Sequence, residues 1–112
     1  MKKFAFVNDA AEREYRELPR DVQSDFGTSL RAVQDDKKPF LPTTSLGSIG
    51  AGVIELKING SPAHRCMYIA KYEDTVVVLH SFDKTTNGVD RQAMRTGKQR
   101  YKELMAELRM KK

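Results

Sequence analysis

A chain of 112 residues with 20 Lys and Arg, 15 Asp and Glu and a formal charge of +5 is long enough for one compact domain with a modest core and short for two, so residues 1–112 read as a single domain. No apolar run approaches the roughly 20 residues that cross a bilayer, and the opening MKKFAFVNDAAERE turns acidic before an apolar signal region forms, so a cytoplasmic protein with no membrane attachment is expected. One cysteine, Cys66, excludes an internal disulfide, and one Cys with two His does not fill a structural zinc shell; no metal and no cofactor are expected.

In chain order, residues 3–7 alternate Phe4 and Phe6 on one side of a short strand. Asp9 is the expected cap of a first helix, with Glu12 three residues on as a variant capping box, and that helix runs to Leu18 before Pro19. Leu18, Val22, Phe26, Leu30 and Val33 then form one apolar stripe at helical period, which predicts a second helix ending at Asp35-Asp36-Lys37-Lys38-Pro39. Gly27 inside it implies close backbone approach or local weakness.

Residues 39–52 read as a loop. A phosphate-binding loop at Gly47-Ser-Ile-Gly50-Ala-Gly52 would need a strand before it and a helix after it; here a strand follows, so the glycines are read as turning the chain into a sheet. Three strands come next, at 53–58, 63–72 and 75–82, separated by the turn signals Asn59-Gly60-Ser61-Pro62 and Glu73-Asp74. Alternation puts Ile54, Leu56 and Ile58 on one face and Glu55 and Lys57 on the other. Val76 to Leu79 is apolar at both parities, which predicts a central strand covered on both sides. After the turn Thr85-Thr86-Asn87-Gly88, Asp90 starts the last helix. Its apolar stripe is Met94, Gly97, Tyr101, Leu104, Met105 and Leu108, and Arg91, Arg95, Lys98 and Lys102 lie off that stripe.

The order β, α, α, β, β, β, α indicates an α+β domain: an N-terminal strand and two-helix hairpin, an antiparallel sheet of about four strands, and a C-terminal helix. Charge is unevenly spread along it. Residues 90–112 carry eight basic residues against three acids, the whole excess, whereas the first 36 positions carry eight acids against six bases. The basic end suits nucleic acid or an acidic protein partner.

Glu55, Lys57, Arg65, His80 and Lys84 stand in an otherwise apolar sheet and are polar beyond what a structural sheet needs. Strict alternation along the third strand would put His80, Phe82 and Lys84 on the side of Val76 and Val78, so that one face would serve as both core and site.

Three phrases, Gly52-Val-Ile-Glu55-Leu56-Lys57, then His64-Arg65-Cys-Met-Tyr68, then Val78-Leu79-His80-Ser-Phe82-Asp-Lys84, occur in this order after the Leu18-Pro19 break. Together they resemble the RelE/ParE toxin superfamily and, within it, the phage-related HigB-like branch, over residues 4–108. The resemblance implies a type II toxin-antitoxin toxin, a ribosome-dependent endoribonuclease that cuts translated mRNA and is silenced by a helix-turn-helix antitoxin. Two positions depart from the branch's pattern: Lys57 stands where Arg is usual, and Asp83 precedes Lys84 where a double Lys is usual.

Metal-free RNA cleavage needs a group to take the 2′-hydroxyl proton, cations for the phosphorane and a group to protonate the leaving 5′-oxygen. His80 is the candidate acid or base, with Arg65, Lys57 and Lys84 as the charge clamp. Glu55 either positions Lys57 or acts as base. Tyr68 and Phe82 are candidate stacking platforms, and Arg91, Arg95 and Lys98 a candidate RNA-binding face. Each has a structural counterpart: a cross-strand Arg65–Glu55 pair, a hydrogen-bonded core His80, a solvated turn Lys84, and Tyr68 and Phe82 as core. As a groove cation, Arg65 is expected to be replaceable by Ala with the fold retained. A gyrase-directed toxin and a degenerate antitoxin-binding domain are the non-catalytic alternatives on the same fold.

Overall fold

The computed structural model describes residues 1–111. A five-stranded sheet carries helices on both faces, with elements β1 (Lys3–Phe6), α1 (Asp9–Arg16), α2 (Arg20–Gln34), β2 (Thr43–Ser45), β3 (Val53–Ile58), β4 (Ala63–Ile69), β5 (Thr75–Lys84) and α3 (Arg91–Met110). The strand order is β1-β5-β4-β3-β2, so β4 is central and β5 is an interior strand beside it, covered on both faces as its doubly apolar pattern requires. The α+β class holds. The sheet has one strand more than expected because Thr43–Ser45, inside the segment read as loop, pairs with β3. It is mixed rather than antiparallel because β1 lies parallel to β5, while α1 and α2 carry the chain from β1 to β2 at the opposite edge.

Local chemistry explains the helix ends. The cap of α1 is Asn8, one residue before the expected Asp9: Asn8 has extended backbone and its Oδ1 accepts from the Ala11 amide at 2.8 Å. Asp9 becomes the first helical residue, where a carboxylate complements the helix dipole. The α1–α2 corner is tied by Tyr15 Oη donating to the Gln23 carbonyl at 2.6 Å and by Gln23 Nε2 donating to the Leu18 carbonyl at 2.7 Å. Asp90 caps α3 as expected, its Oδ1 accepting from the Ala93 amide at 3.0 Å.

Two cores flank the sheet. On one face Leu18, Val22, Phe26 and Leu30 pack on Leu56, Cys66, Tyr68, Val76 and Val78. On the other, Ala93 and Leu104 of α3, with Ile49, pack on Val53, Met67, Ile69, Val77 and Leu79. The glycines of the 47–52 loop and of α3 permit this second contact. The Tyr101 ring lies directly against Gly50, where a Cβ would collide with it, and a Cβ on Gly97 would sit 2.8 Å from Met67 Sδ. Gly52, at φ +90, makes the left-handed turn into β3.

Strict alternation fails on β5 at one place. Tyr68 pairs with Val78, but Met67 pairs with His80, so Leu79 is an extra residue, a β-bulge. Val76 and Val78 face α2, whereas Val77 and Leu79 face α3, and beyond the bulge the parity is reversed. His80, Phe82 and Lys84 therefore share the face of Met67 and not that of Val78. The expected conflict between core and site on one face does not arise.

Candidate functional site

Strand register places the polar residues in rows on the α3 face. Glu55, Met67 and His80 form the first row across β3, β4 and β5; Lys57, Arg65 and Phe82 form the second; Ala63 and Lys84 form the third. With strands about 4.8 Å apart, Glu55 and His80 stand roughly 10 Å apart at their backbones, on either side of the middle strand. Gly97 roofs Met67 in the first row, and the capping Asp90 of α3 acts electrostatically on both Glu55 and His80, so the first turn of the helix borders the group.

Arg65 is not the surface cation expected. It is 8 % exposed, and its Nη1 donates to the carbonyls of His64 at 3.0 Å and Ile58 at 3.3 Å while Nη2 donates to Asn59 Oδ1 at 3.4 Å. It braces the β3–β4 hairpin from inside. Its contact with Glu55 is loose, 3.8 Å from Nε to Oε1. Lys57 is half-buried, and Lys84, the last residue of β5 rather than a solvated turn residue, is also half-buried and donates from Nζ to the Thr86 carbonyl at 2.8 Å. Burial raises the pKa of Glu55, outweighing the opposing pull of Arg65, Lys57 and Lys84. The carboxyl therefore holds a proton more readily than an exposed glutamate.

Asp83, a departure from the branch's pattern, points to the other face of the sheet. Its Oδ1 lies 2.7 Å from His64 Nδ1, so it does not place a carboxylate among the cations.

His80 is 9 % exposed and anchored. Its Nδ1 lies 2.8 Å from Glu14 Oε1, and its ring stacks on Phe82 with centroids 4.8 Å apart. Arg100 Nη1 and Nη2 donate to the two oxygens of Glu14 at 3.0 and 2.8 Å, and Nη1 also donates to the Leu79 carbonyl at 2.9 Å. Burial pushes the pKa of Glu14 up, but the hydrogen bonds from Arg100 and His80 prevail and hold it below the usual carboxylate range. For His80, burial lowers the pKa and Glu14 only partly restores it. At neutral pH the pair is an ionised carboxylate and a neutral imidazole.

Of the remaining expected site residues, Phe82 lies beside His80. Tyr68 does not join them: it is 5 % exposed in the α2-side core, with the sheet between it and the cations. Arg91, Arg95 and Lys98 are exposed on the N-terminal half of α3, the half that borders the site. Glu14 and Arg100 were missed. Arg100 had one legible sign: with Ala93, Gly97 and Leu104 it completes the buried line of α3, where an arginine must find an acidic partner.

An α+β domain with a five-stranded mixed sheet, helices on both faces and a C-terminal helix is consistent with the RelE-like fold. Residues 13–102 match the family described as "Phage derived protein Gp49-like (DUF891)". That span covers most of the chain, and the protein belongs to this phage-derived, toxin-like family. No curated protein matches the chain.

Two outcomes follow from the environments of Arg65 and Glu55. Arg65→Ala strips a charged donor from two hairpin carbonyls and should lower unfolding free energy by about 1–3 kcal/mol, read by denaturant titration; an unchanged midpoint would return Arg65 to the surface. Glu55, with a raised folded pKa, favours the fold fully below its ordinary value of 4.5, and that contribution is lost as pH rises through the raised value. Gln has no such loss. The stability of Glu55→Gln relative to the native chain should therefore improve as pH rises above 4.5 in thermal melts, and a pH-independent difference would contradict the assignment.

Proposed function

We propose that the protein is the toxin of a type II toxin-antitoxin system, of the HigB-like kind, and that it cleaves translated mRNA as a ribosome-dependent endoribonuclease. The observation that carries this reading is the row arrangement. Two proton-transfer groups, Glu55 and His80, share one row of the sheet face and the positive charge of Arg65 and Lys57 lies in the next, with the basic first turns of α3 alongside.

In this mechanism His80 takes the 2′-hydroxyl proton. The 2′-oxygen attacks the adjacent phosphorus, and the charge of the resulting phosphorane is offset by Lys57 and Lys84, which have the reach to follow it, and by Arg65 fixed behind them. Glu55, whose raised pKa favours the protonated carboxyl, supplies the proton to the departing 5′-oxygen. The products are a 2′,3′-cyclic phosphate and a 5′-hydroxyl. Arg91, Arg95 and Lys98 hold the RNA or ribosomal RNA backbone. The partner that silences the toxin is a helix-turn-helix antitoxin, which shields this positive surface.

A second reading is favoured by the donors of Arg65, which hairpin groups already occupy: a non-catalytic member of the fold, directed at gyrase or serving only to bind an antitoxin. A translating extract separates the two. The purified protein should cut mRNA within codons, with His80→Ala and Lys57→Ala each slower by about 100-fold or more. Intact mRNA together with inhibited DNA supercoiling would select the second reading.

A further inference from the structure

The Glu14–Arg100–His80 cluster joins three elements, α1, α3 and β5. β1 pairs with β5 only through Val78, so from the bulge onwards that edge of β5 is free of a strand and α1 lies against it. α1 brings Glu14 to the edge, and α3 brings Arg100 from above the sheet. The guanidinium grips both carboxylate oxygens in a fork and, with the same Nη1, takes the carbonyl of Leu79, the bulged residue that immediately precedes His80. The backbone before the histidine and the carboxylate beside its ring are thus held by one side chain.

The chemistry at the ring follows from the state of Glu14. A carboxylate that receives two bonds from a guanidinium is ionised and only accepts, so the imidazole nitrogen 2.8 Å away must carry the hydrogen and donate it. That places the proton of the neutral ring on Nδ1 and leaves the lone pair on Nε2. Nε2 has no hydrogen-bond partner among the described residues, and stacking on Phe82 restrains the ring plane. A cluster serving only to stitch α1 and α3 to the sheet would need Glu14 and Arg100 but not the histidine, which lies in the same row as Glu55 on the site's face.

We propose that Glu14, clamped by Arg100, is a positioning residue that sets the proton of His80 on Nδ1 and reserves Nε2 for proton exchange with the RNA. This rests on the reading of the site as a ribonuclease. The proton balance is simple: Nε2 receives the 2′-hydroxyl proton, the ring becomes an imidazolium whose Nδ1–H remains bonded to Glu14, and the proton returns to solvent after the 5′-oxygen has left. The groups that set the ring's titration are Glu14 from α1 and Arg100 and Asp90 from α3, with burial between the helices and the sheet. Glu14 is the nearest of them to favour the imidazolium, so its neutral replacement lowers the midpoint of His80.

The test is nitrogen-15 NMR of the His80 ring, combined with pH–rate profiles of RNA cleavage, on the native chain and on Glu14→Gln and Glu14→Asp. The native ring should show the hydrogen on Nδ1. Glu14→Gln should mix the two tautomers, lower the titration midpoint of His80 and move the acid limb of kcat by the same amount, with kcat down at least about tenfold and KM unchanged. Glu14→Asp should restore part of each. A native ring protonated on Nε2 overturns the proposal and needs no variant, so failure of Glu14→Gln to fold leaves the question decidable. An unchanged tautomer and midpoint in Glu14→Gln overturns it as well. If the native chain cuts no RNA, the ribonuclease reading falls while the ring's tautomer is still measured; if it cuts RNA with the hydrogen on Nε2, only the positioning role falls.

Discussion

At Leu79 the strand β5 holds one residue more than its neighbour β4, and the carbonyl at that point is taken by Arg100 from the helix above. This bulge is what the arrangement of the polar groups depends on. Before it, Val76 and Val78 close the α2-side core. After it, the strand presents His80, Phe82 and Lys84 to the opposite side, where Arg65, Lys57 and Glu55 already stand by simple alternation of β3 and β4. Were β5 to alternate without a break through Leu79 and His80, the histidine would enter the packed core beneath α2, and Asp83 would take a place among the cations. Bulges re-aim side chains next to functional sites, and this one separates the α2-side core from the polar groups along a single strand.

The same junction links stability to the chemistry proposed for the site. Arg100 is buried and would be costly there without a partner; Glu14 offsets that cost and in turn orders the imidazole. Arg65 is used in a similar way, with most of its donors given to the carbonyls of its own hairpin and its charge directed at the site from behind the surface. The cations free to move with a substrate are the two lysines and the exposed basic residues of α3. The division is physically reasonable, because a planar guanidinium suits fixed multi-point bonding and an ammonium on a flexible stem suits a moving charge.

Much of the fold was legible because its patterns are local. The stripe through Leu18, Val22, Phe26 and Leu30, the strand 53–58 with its clean alternation, and the Asp90 cap all follow from spacing, and each stands where expected. β2 was not legible, since three residues of Thr-Thr-Ser have no period and acquire strand character only by pairing with β3. The parallel pairing of β1 is a long-range choice that four residues cannot encode alone. The bulge was hidden for a related reason: Val76 to Leu79 is apolar at both parities, so nothing in the pattern marks where alternation slips. Of the site, the sheet residues were visible as polar exceptions, but Glu14 and Arg100 were not. They are 86 positions apart, and each looks like an ordinary helix charge until the sheet brings them together.

The claim at the centre of this account is that the sheet end activates an RNA 2′-hydroxyl. Its most direct test is a ribosome-bound mRNA with one 2′-deoxynucleotide at the position cut in the all-ribose message. The account predicts cleavage of the all-ribose message to a 2′,3′-cyclic phosphate and no cleavage at the deoxy position. Cleavage at the deoxy position, or an uncut all-ribose message, would contradict it.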